Sequence, residues 1–165
     1  MKPLFRSDKN WERMLGIIQS WMGKPYKHLT MVKGRGADCT LFIGACWKEY
    51  GIITKVEYDY YPKQWHIHTN EEKVVNSFND HWNKYRNPKY HFEVLPVEEP
   101  KKRGDLLAFS NTSQNVTNHA SIYIGDIGRG RMMCHSIQGR GVSYFPYGSY
   151  WKRKMVNFYR VMEEG

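Results

Sequence analysis

Cysteine and histidine are the residue types in this sequence best suited to covalent and acid–base chemistry at neutral pH. Cys39 follows a glycine-containing loop and Asp38, a typical N-cap residue, at the predicted start of a helix. Because helix N-terminal amides stabilise an anion, we expect a thiol pKa below the free value of about 8.5. The alternative is a buried cysteine on the helix's apolar stripe, which describes Cys46 well. Cys39 is therefore the candidate nucleophile.

A thiol nucleophile needs a general base, and that base needs a group that orients it. His119 precedes a predicted strand, and His135 lies 16 residues later, near the end of the next predicted strand. Two adjacent antiparallel strands can place these imidazoles side by side, one as the base and one as its orienting group. A single histidine at a strand end is more often a surface or core residue. The hypothesis therefore depends on the set of three residues.

Three helices are predicted in the first half of the chain. Apolar residues at helical spacing indicate helices over residues 10–22, 39–50 and 71–85. Gly23 and Gly51 are suited to end the first two, and Thr69 and Glu72 have the spacing of a capping box. Asp38 is the predicted cap of the second helix, so that helix positions Cys39.

The second half of the chain is rich in short β-prone segments separated by Gly, Asn and Pro. The predicted strands cover residues 91–95, 105–109, 120–125, 131–136, 141–145 and 157–161. Helices followed by strands predict an α+β fold, with N-terminal helices packed on a central antiparallel sheet of about five or six strands.

Length, charge and cysteine content restrict the number of domains and the classes of protein to which the chain can belong. At 165 residues, the chain is expected to form one domain over residues 1–165. The net charge of +9 favours a polyanionic neighbour. Three cysteines without a CxxC pair argue against a disulfide framework or a structural zinc site. We see no apolar run long enough to cross a bilayer, and no secretory signal at the start of the sequence.

Several motifs, taken in order, resemble the NlpC family of papain-like cell-wall cysteine peptidases. They are GKPY (residues 23–26), ADC (37–39), RGDLLAF (103–109), NHASIYIGD (118–126) and MCHS (133–136). The resemblance extends over about residues 11–160. It implies a papain-like fold and cleavage of an amide bond in the peptide stem of peptidoglycan, typically between γ-D-glutamate and the diamino acid.

The resemblance also implies a role for each matching residue. Cys39 would be the nucleophile, His119 its general base and His135 the group that orients the base. The Cys39 backbone amide would meet the oxyanion, and Tyr26 and Asp38 are assigned to the oxyanion and substrate contacts. No metal and no cofactor are expected.

Two segments are similar to a phage-tail and gene-transfer-agent subgroup of the family. They are SWMGKPYKHLTMVKGRGADC (residues 20–39) and SYWKRKMVNFYRV (149–161), the latter resembling a closing strand. The subgroup implies a virion component that is made in the bacterial cytoplasm, associates with tail-tip or hub proteins and reaches the periplasm or cell wall. Thr40 and Leu41 depart from the usual small residues after the nucleophile, which bears on the shape of the substrate groove.

Other interpretations stay open from the sequence. Cys39, Cys134, His119 and His135 would supply four zinc ligands, although no short ligand spacing supports a metal site. Basic clusters among aromatic residues are compatible with nucleic-acid binding, although such clusters are usually solvated surface, and no nucleic-acid partner is expected. A structural tail component with little activity and a thiol acyltransferase are the remaining alternatives.

Two further features lie between the second and third helices. His66 and His68 are spaced to lie on one face of an extended segment, and the aromatic residues Tyr58, Tyr60, Tyr61 and Trp65 follow one another closely. Either feature could line a substrate cleft. Surface exposure of the histidines and packing of the aromatic residues over the second helix are the simpler interpretations.

Overall fold

A central antiparallel β-sheet carries both candidate histidines. The computed structural model describes residues 1–58, 60, 73–111 and 116–165. The strands are β1 (Lys2–Pro3), β2 (Met31–Val32), β3 (Gly36–Ala37), β4 (Tyr90–Leu95), β5 (Leu106–Phe109), β6 (His119–Asp126), β7 (Arg131–Ile137), β8 (Gly141–Pro146) and β9 (Met155–Glu163). Within this part of the chain, seven strands form the main sheet in the order β1-β9-β5-β6-β7-β8, with β4 also pairing with β9. Strands β2 and β3 form a separate antiparallel pair.

The six strands predicted from the sequence are confirmed. Each begins and ends within two residues of its predicted bounds, and every pairing in the main sheet is antiparallel. The seventh strand, β1, is a two-residue segment that pairs with the end of β9 and has too few residues for an alternating pattern. The predicted α+β fold class is therefore confirmed.

The helices are α1 (Asp8–Ser20), α2 (Cys39–Tyr50), α3 (Lys73–Asn76, continuing in π-helical form over Ser77–Trp82) and α4 (Ser149–Lys154). Helix α1 begins two residues before its predicted start because Ser7 caps it, accepting the Asn10 amide at 3.5 Å. The observed α3 ends before the predicted end at residue 85. The predicted capping box at Thr69 and Glu72 lies outside the described residues.

Helix α4 corrects one expectation. The segment SYWKRK was expected to begin the closing strand, whereas it forms a short helix and β9 begins at Met155. The helical turn buries Trp151 against the sheet while Lys152 and Arg153 remain exposed to solvent. In an extended segment the side chains alternate between two faces, so Arg153 would share the buried face of Trp151.

Helix α2 agrees with its predicted bounds and is the main support of the site. Gly51 ends the helix in the left-handed conformation, with φ of 93°, where a glycine is favoured. Nine of its twelve residues are buried, and the helix packs against β6 and β7. A helix held on almost every side has little freedom to move its first residue, Cys39.

The two faces of the sheet bury separate apolar clusters. The cluster on the helical face contains Ala120 and Ile122 of β6 together with residues of α1 and α2. The smaller cluster on the opposite face contains Phe109, Tyr123, Met133 and Trp151, among others. Because side chains alternate along a strand, neighbouring residues of β6 and β7 enter different environments. No helix in the described part of the chain is long and apolar enough to cross a membrane.

Candidate active site

Cys39 is the first residue of α2 and is partly buried. Its sulfur lies 3.7 Å from the Thr40 hydroxyl, and it also receives hydrogen bonds from the backbone amides of Thr40 and Ala120. Ala120 directly follows His119 in β6. The nucleophile candidate and the base candidate are thus brought to the same end of this strand.

Asp38 fixes the start of α2. Its Oδ1 accepts the Leu41 amide at 2.8 Å and its Oδ2 accepts the Leu29 amide at 3.1 Å. One carboxylate therefore caps the helix and ties down the preceding loop, where Leu29 has a positive φ of 51°. Because both oxygens accept backbone amides, Asp38 positions the start of α2 and the loop before it, while its predicted contact with the oxyanion or substrate stays a prediction.

The GKPY segment lies between two glycines that allow close backbone approach. A Cβ on Gly36, whose φ is 112°, would lie 2.2 Å from the Pro25 carbonyl oxygen, and one on Gly141 would lie 2.1 Å from that of Lys24. The Ala37 amide donates to the Pro25 carbonyl, and the Val142 amide donates to the Lys24 carbonyl. This packing holds Tyr26 next to the loop that carries Cys39.

The structure places Tyr26 within electrostatic reach of the candidate nucleophile. Burial, and then the negative charges of Cys39 and Asp38, raise the pKa of the Tyr26 hydroxyl well above its usual value. The hydroxyl therefore stays protonated at neutral pH and can donate a hydrogen bond. This is the property that the predicted oxyanion role requires.

His119 and His135 are brought together as predicted. His119 is the first residue of β6 and His135 lies near the end of β7, and 2.8 Å separate His119 Nε2 from His135 Nδ1. His135 is completely buried and His119 is almost so. In this arrangement the second ring nitrogen of His119, Nδ1, is the one left available for a proton-transfer role.

Electrostatics favours the neutral forms of Cys39 and His119. Burial, and then the Asp38 carboxylate, raise the pKa of the Cys39 thiol to about 11, although the Thr40 hydroxyl and the Ala120 and Thr40 amides lower it in part. Burial, and then the charge of His135, lower the pKa of His119 to about 3. The expected depression of the thiol pKa is therefore wrong, because burial and an adjacent carboxylate outweigh the helix N-terminus.

The other two cysteines lie in the core. Cys46 and Cys134 are fully buried in the cluster on the helical face, and the Cys134 sulfur lies 3.9 Å from that of Met22. Burial raises the pKa of the Cys134 thiol to about 12 and that of Cys46 well above its usual value. Cys134 and His135 are neighbours on β7, and they point to opposite faces of the sheet, as strand alternation predicts.

Three contacts at the site were not found from the sequence. The Thr40 hydroxyl lies beside the nucleophilic sulfur, and the Trp151 indole packs on both His119 and His135. The Ser136 hydroxyl, buried beside His135, donates to the Ala37 carbonyl at 2.6 Å and so links β7 to the loop before the nucleophile. Thr40 is adjacent to Cys39 in sequence, whereas the other two contacts depend on tertiary structure.

Some predicted features of the substrate cleft lie outside the described residues. They are His66, His68, Tyr61 and Trp65. Of the remaining aromatic residues, Tyr60 is exposed, and Tyr58 is exposed with its hydroxyl donating to the Leu29 carbonyl at 3.4 Å. Tyr58 therefore contacts the loop that Asp38 anchors. Within the described residues, no group of three or more His, Cys, Asp or Glu side chains is arranged to hold a metal ion.

Three solved structures similar to this chain are described as NlpC/P60 proteins. A Staphylococcus aureus protein described as similar to a lipoprotein of the NLP/P60 family matches with 18% identity and a TM-score of 0.57, over 96% of this chain and 43% of that one. An NlpC/P60 family protein from Bacillus cereus gives the same identity and TM-score over 90% and 39% of the two chains. The NlpC/p60 domain of the peptidoglycan hydrolase SagA matches with 16% identity and a TM-score of 0.51, over 92% and 98%. These identities support a shared fold alone.

The chain spans about two fifths of the length of the Staphylococcus and Bacillus structures. No curated protein gives a significant match. The sequence model of the NlpC/P60 family matches residues 23–160, well over half of the chain and including all three candidate catalytic residues. A matching family model and the shared fold lead to the same conclusion: this chain belongs to the NlpC/P60 family.

Proposed function

We propose that this protein is a cysteine peptidase that hydrolyses an amide bond in the peptide stem of peptidoglycan. One observation carries the proposal. A histidine pair joined by a 2.8 Å hydrogen bond lies at the strand end where a helix N-terminal thiol receives the Ala120 amide. This is the arrangement that nucleophilic catalysis by cysteine needs, with a nucleophile, a base and a group that orients the base.

Cys39 would act as the nucleophile and His119 as a general base during the attack. Because the free thiol and the free imidazole are both neutral at pH 7, the proton moves from sulfur to His119 as the C–S bond forms. The protonated His119 then gives that proton to the leaving amine, and a thioester remains. Water attacks the thioester as His119 again takes a proton, and His119 passes that proton to the departing sulfur. The thiol is thereby regenerated and a new carboxyl group is released.

The oxyanion would be held at the start of α2. The Cys39 backbone amide points out of a helix N-terminus, where unpaired N–H groups favour negative charge. The protonated Tyr26 hydroxyl supplies a second donor. His135 would orient His119 through their shared hydrogen bond and stabilise the imidazolium that forms during the reaction.

The bond between γ-D-glutamate and the diamino acid is the proposed site of cleavage. This assignment rests on the resemblance of the ADC and NHASIYIG motifs to those of cell-wall peptidases, and on family membership. The net charge of +9 suits an anionic cell-wall surface. One related structure is described as the NlpC/p60 domain of a peptidoglycan hydrolase.

Digestion of purified cell walls tests the proposal. Wild-type protein and Cys39→Ala would be incubated with Gram-negative and Gram-positive peptidoglycan, and the fragments analysed by liquid chromatography and mass spectrometry. Fragments cut within the stem peptide by wild type alone are expected, and their masses identify the bond. A new amide in place of a free carboxyl group would identify acyl transfer instead. Release of nothing from either wall would contradict the proposal.

We further propose that the protein acts as part of a phage tail, as a virion component bound to tail-tip or hub proteins. The similarity of residues 20–39 and 149–161 to the phage-tail subgroup supports this assignment. A tail would carry a protein made in the bacterial cytoplasm to the wall of the next host. Peptides of this chain should therefore be detected by mass spectrometry in purified tails, and their absence from tails that contain the hub proteins would contradict the assignment.

A further inference from the structure

Either histidine could donate the hydrogen bond between His119 and His135, and the direction of donation decides which ring nitrogen is basic. In a neutral imidazole one nitrogen carries a proton and the other is an acceptor. If His119 Nε2 donates to His135 Nδ1, then His119 Nδ1 is unprotonated and His135 carries its proton on Nε2. In the reverse arrangement His119 Nδ1 carries a proton and cannot accept another. Only the first arrangement makes His119 a base.

The environment of His135 Nε2 distinguishes the two arrangements. This nitrogen is buried, and no described group forms a hydrogen bond with it. The imidazole instead meets two aromatic rings: Phe145, at 4.9 Å between ring centroids, and Trp151, at 5.6 Å and an interplanar angle of 74°. The second contact is edge-to-face, so the edge of one ring meets the face of the other.

Aromatic faces are negative and aromatic edges positive. An N–H group that meets such a face is attracted to it, whereas a nitrogen lone pair is repelled. We propose that Trp151 and Phe145 hold the proton of His135 on Nε2 and thereby make Nδ1 of His119 the basic atom of the site. The two aromatic residues are positioning residues, since they act on the reaction through the histidines. The catalytic consequence rests on the proposed function, but the tautomer does not.

Trp151 is well placed for this role because it contacts both histidines. Its ring centroid lies 5.3 Å from that of His119, and it is held in turn by Phe109 at 5.0 Å. The indole is 8% exposed and covers the histidine pair on the face of the sheet opposite α1 and α2. A water molecule at Nε2 would donate or accept equally well and would remove the preference for one tautomer. Excluding water is therefore part of the same device.

Nuclear magnetic resonance tests the proposal without any substrate. Burial lowers the pKa of His119 to about 3 and that of His135 to about 4, so both rings are neutral at pH 7. A long-range ¹H–¹⁵N correlation spectrum identifies the protonated nitrogen of each ring, and His119→Gln and His135→Gln assign the signals. We expect protonated Nε2 in both histidines. A proton on Nδ1 of His135 would overturn the proposal.

Variants separate the effect of the aromatic faces from a loss of packing. Trp151→Leu should shift the His135 tautomer ratio by about two- to fivefold toward Nδ1–H, the size expected of one weak N–H to ring contact, while Trp151→Phe should keep most of the preference. Trp11→Leu is the matched control, since Trp11 is also 8% exposed but contacts Phe5 and neither histidine. An unchanged ratio in Trp151→Leu, or an equal shift in Trp11→Leu, would overturn the role of Trp151.

A second variant covers the case in which Trp151→Leu fails to fold. Phe145 is half-buried, and Phe145→Leu should move the tautomer ratio in the same direction. No shift in that variant would overturn the role of Phe145. The outcome also separates this inference from the proposed function. A protein with the expected tautomers that cuts no cell wall contradicts the function alone, whereas an active protein with reversed tautomers contradicts the inference alone.

Discussion

The reactivity of Cys39 should rise steeply with pH, because its thiol is neutral at pH 7. With a pKa of about 11, about one thiol in 10⁴ is ionised at pH 7, compared with a few per cent for a free cysteine. Since the thiolate is the reactive form, labelling by iodoacetamide should accelerate about tenfold for each pH unit between 7 and 10. An imidazolium–thiolate pair would instead react at a nearly constant rate over this range.

The assay is a time course of iodoacetamide labelling at several pH values, followed by peptide mapping. Cys46 and Cys134 provide an internal control, because both are fully buried and should stay unlabelled while the protein is folded. A labelling rate of Cys39 that levels off below pH 8 would contradict a neutral Cys39 thiol beside a neutral His119 imidazole. Preferential labelling of Cys46 or Cys134 would count against Cys39 as the nucleophile.

Asp38→Asn tests the cause of the raised thiol pKa. Asparagine caps a helix about as well as aspartate, so the start of α2 should be retained. Removal of the negative charge should move the labelling curve to lower pH, because that charge is second only to burial in raising the pKa. An unchanged curve in a folded variant would show that the Asp38 charge does not act on the thiol.

Three further predictions concern the frame of the site. Asp105→Asn should lower the free energy of unfolding by about 3 kcal/mol, because it leaves the buried Arg160 guanidinium without the carboxylate that it contacts at 2.8 and 2.9 Å. Asp8→Asn is the control in urea titrations. Asp8 is 83% exposed in its ion pair, so this substitution should lower the free energy of unfolding by less than about 1 kcal/mol. Equal losses of stability in the two variants would contradict the burial argument. Gly36→Ala should cost about 2–4 kcal/mol in thermal unfolding, from its positive φ and the clash with Pro25, whereas Gly34→Ala meets nothing within 4 Å and should be nearly neutral. Thr40→Val should slow iodoacetamide labelling of Cys39 about three- to tenfold, because it removes the hydroxyl that lies 3.7 Å from the sulfur. Thr40→Ser keeps a hydroxyl and should label at nearly the wild-type rate. Equal labelling rates in the Val and Ser variants would show that the hydroxyl does not act on the thiol.

Much of the frame follows from local sequence signals. Helix α2 has an apolar stripe, a capping Asp38 and a terminating Gly51, and its observed bounds agree with the prediction. The pairing of the histidines follows from strand alternation and a short connection between β6 and β7. Both features depend on residues close together in the chain, so the sequence is sufficient to predict them.

The electrostatics and the aromatic wall of the site could not be predicted in the same way. Helix position alone suggests a low thiol pKa at Cys39, but the degree of burial depends on packing that distant segments provide. Asp38 is recognisable in the sequence as a helix cap, but the helix pattern alone does not show how strongly its charge raises the pKa of the neighbouring thiol. Trp151 reaches the histidines only because α4 folds back onto the sheet, and no local pattern indicates that contact.

The most direct test of the central claim compares the three cysteines on one defined substrate. A stem peptide containing the bond between γ-D-glutamate and the diamino acid would be incubated with Cys39→Ala, Cys46→Ala and Cys134→Ala, and the initial rate of hydrolysis followed by mass spectrometry. The account predicts that Cys39→Ala abolishes hydrolysis while the other two variants, once shown to be folded, retain most of it. Full activity in Cys39→Ala would contradict the account.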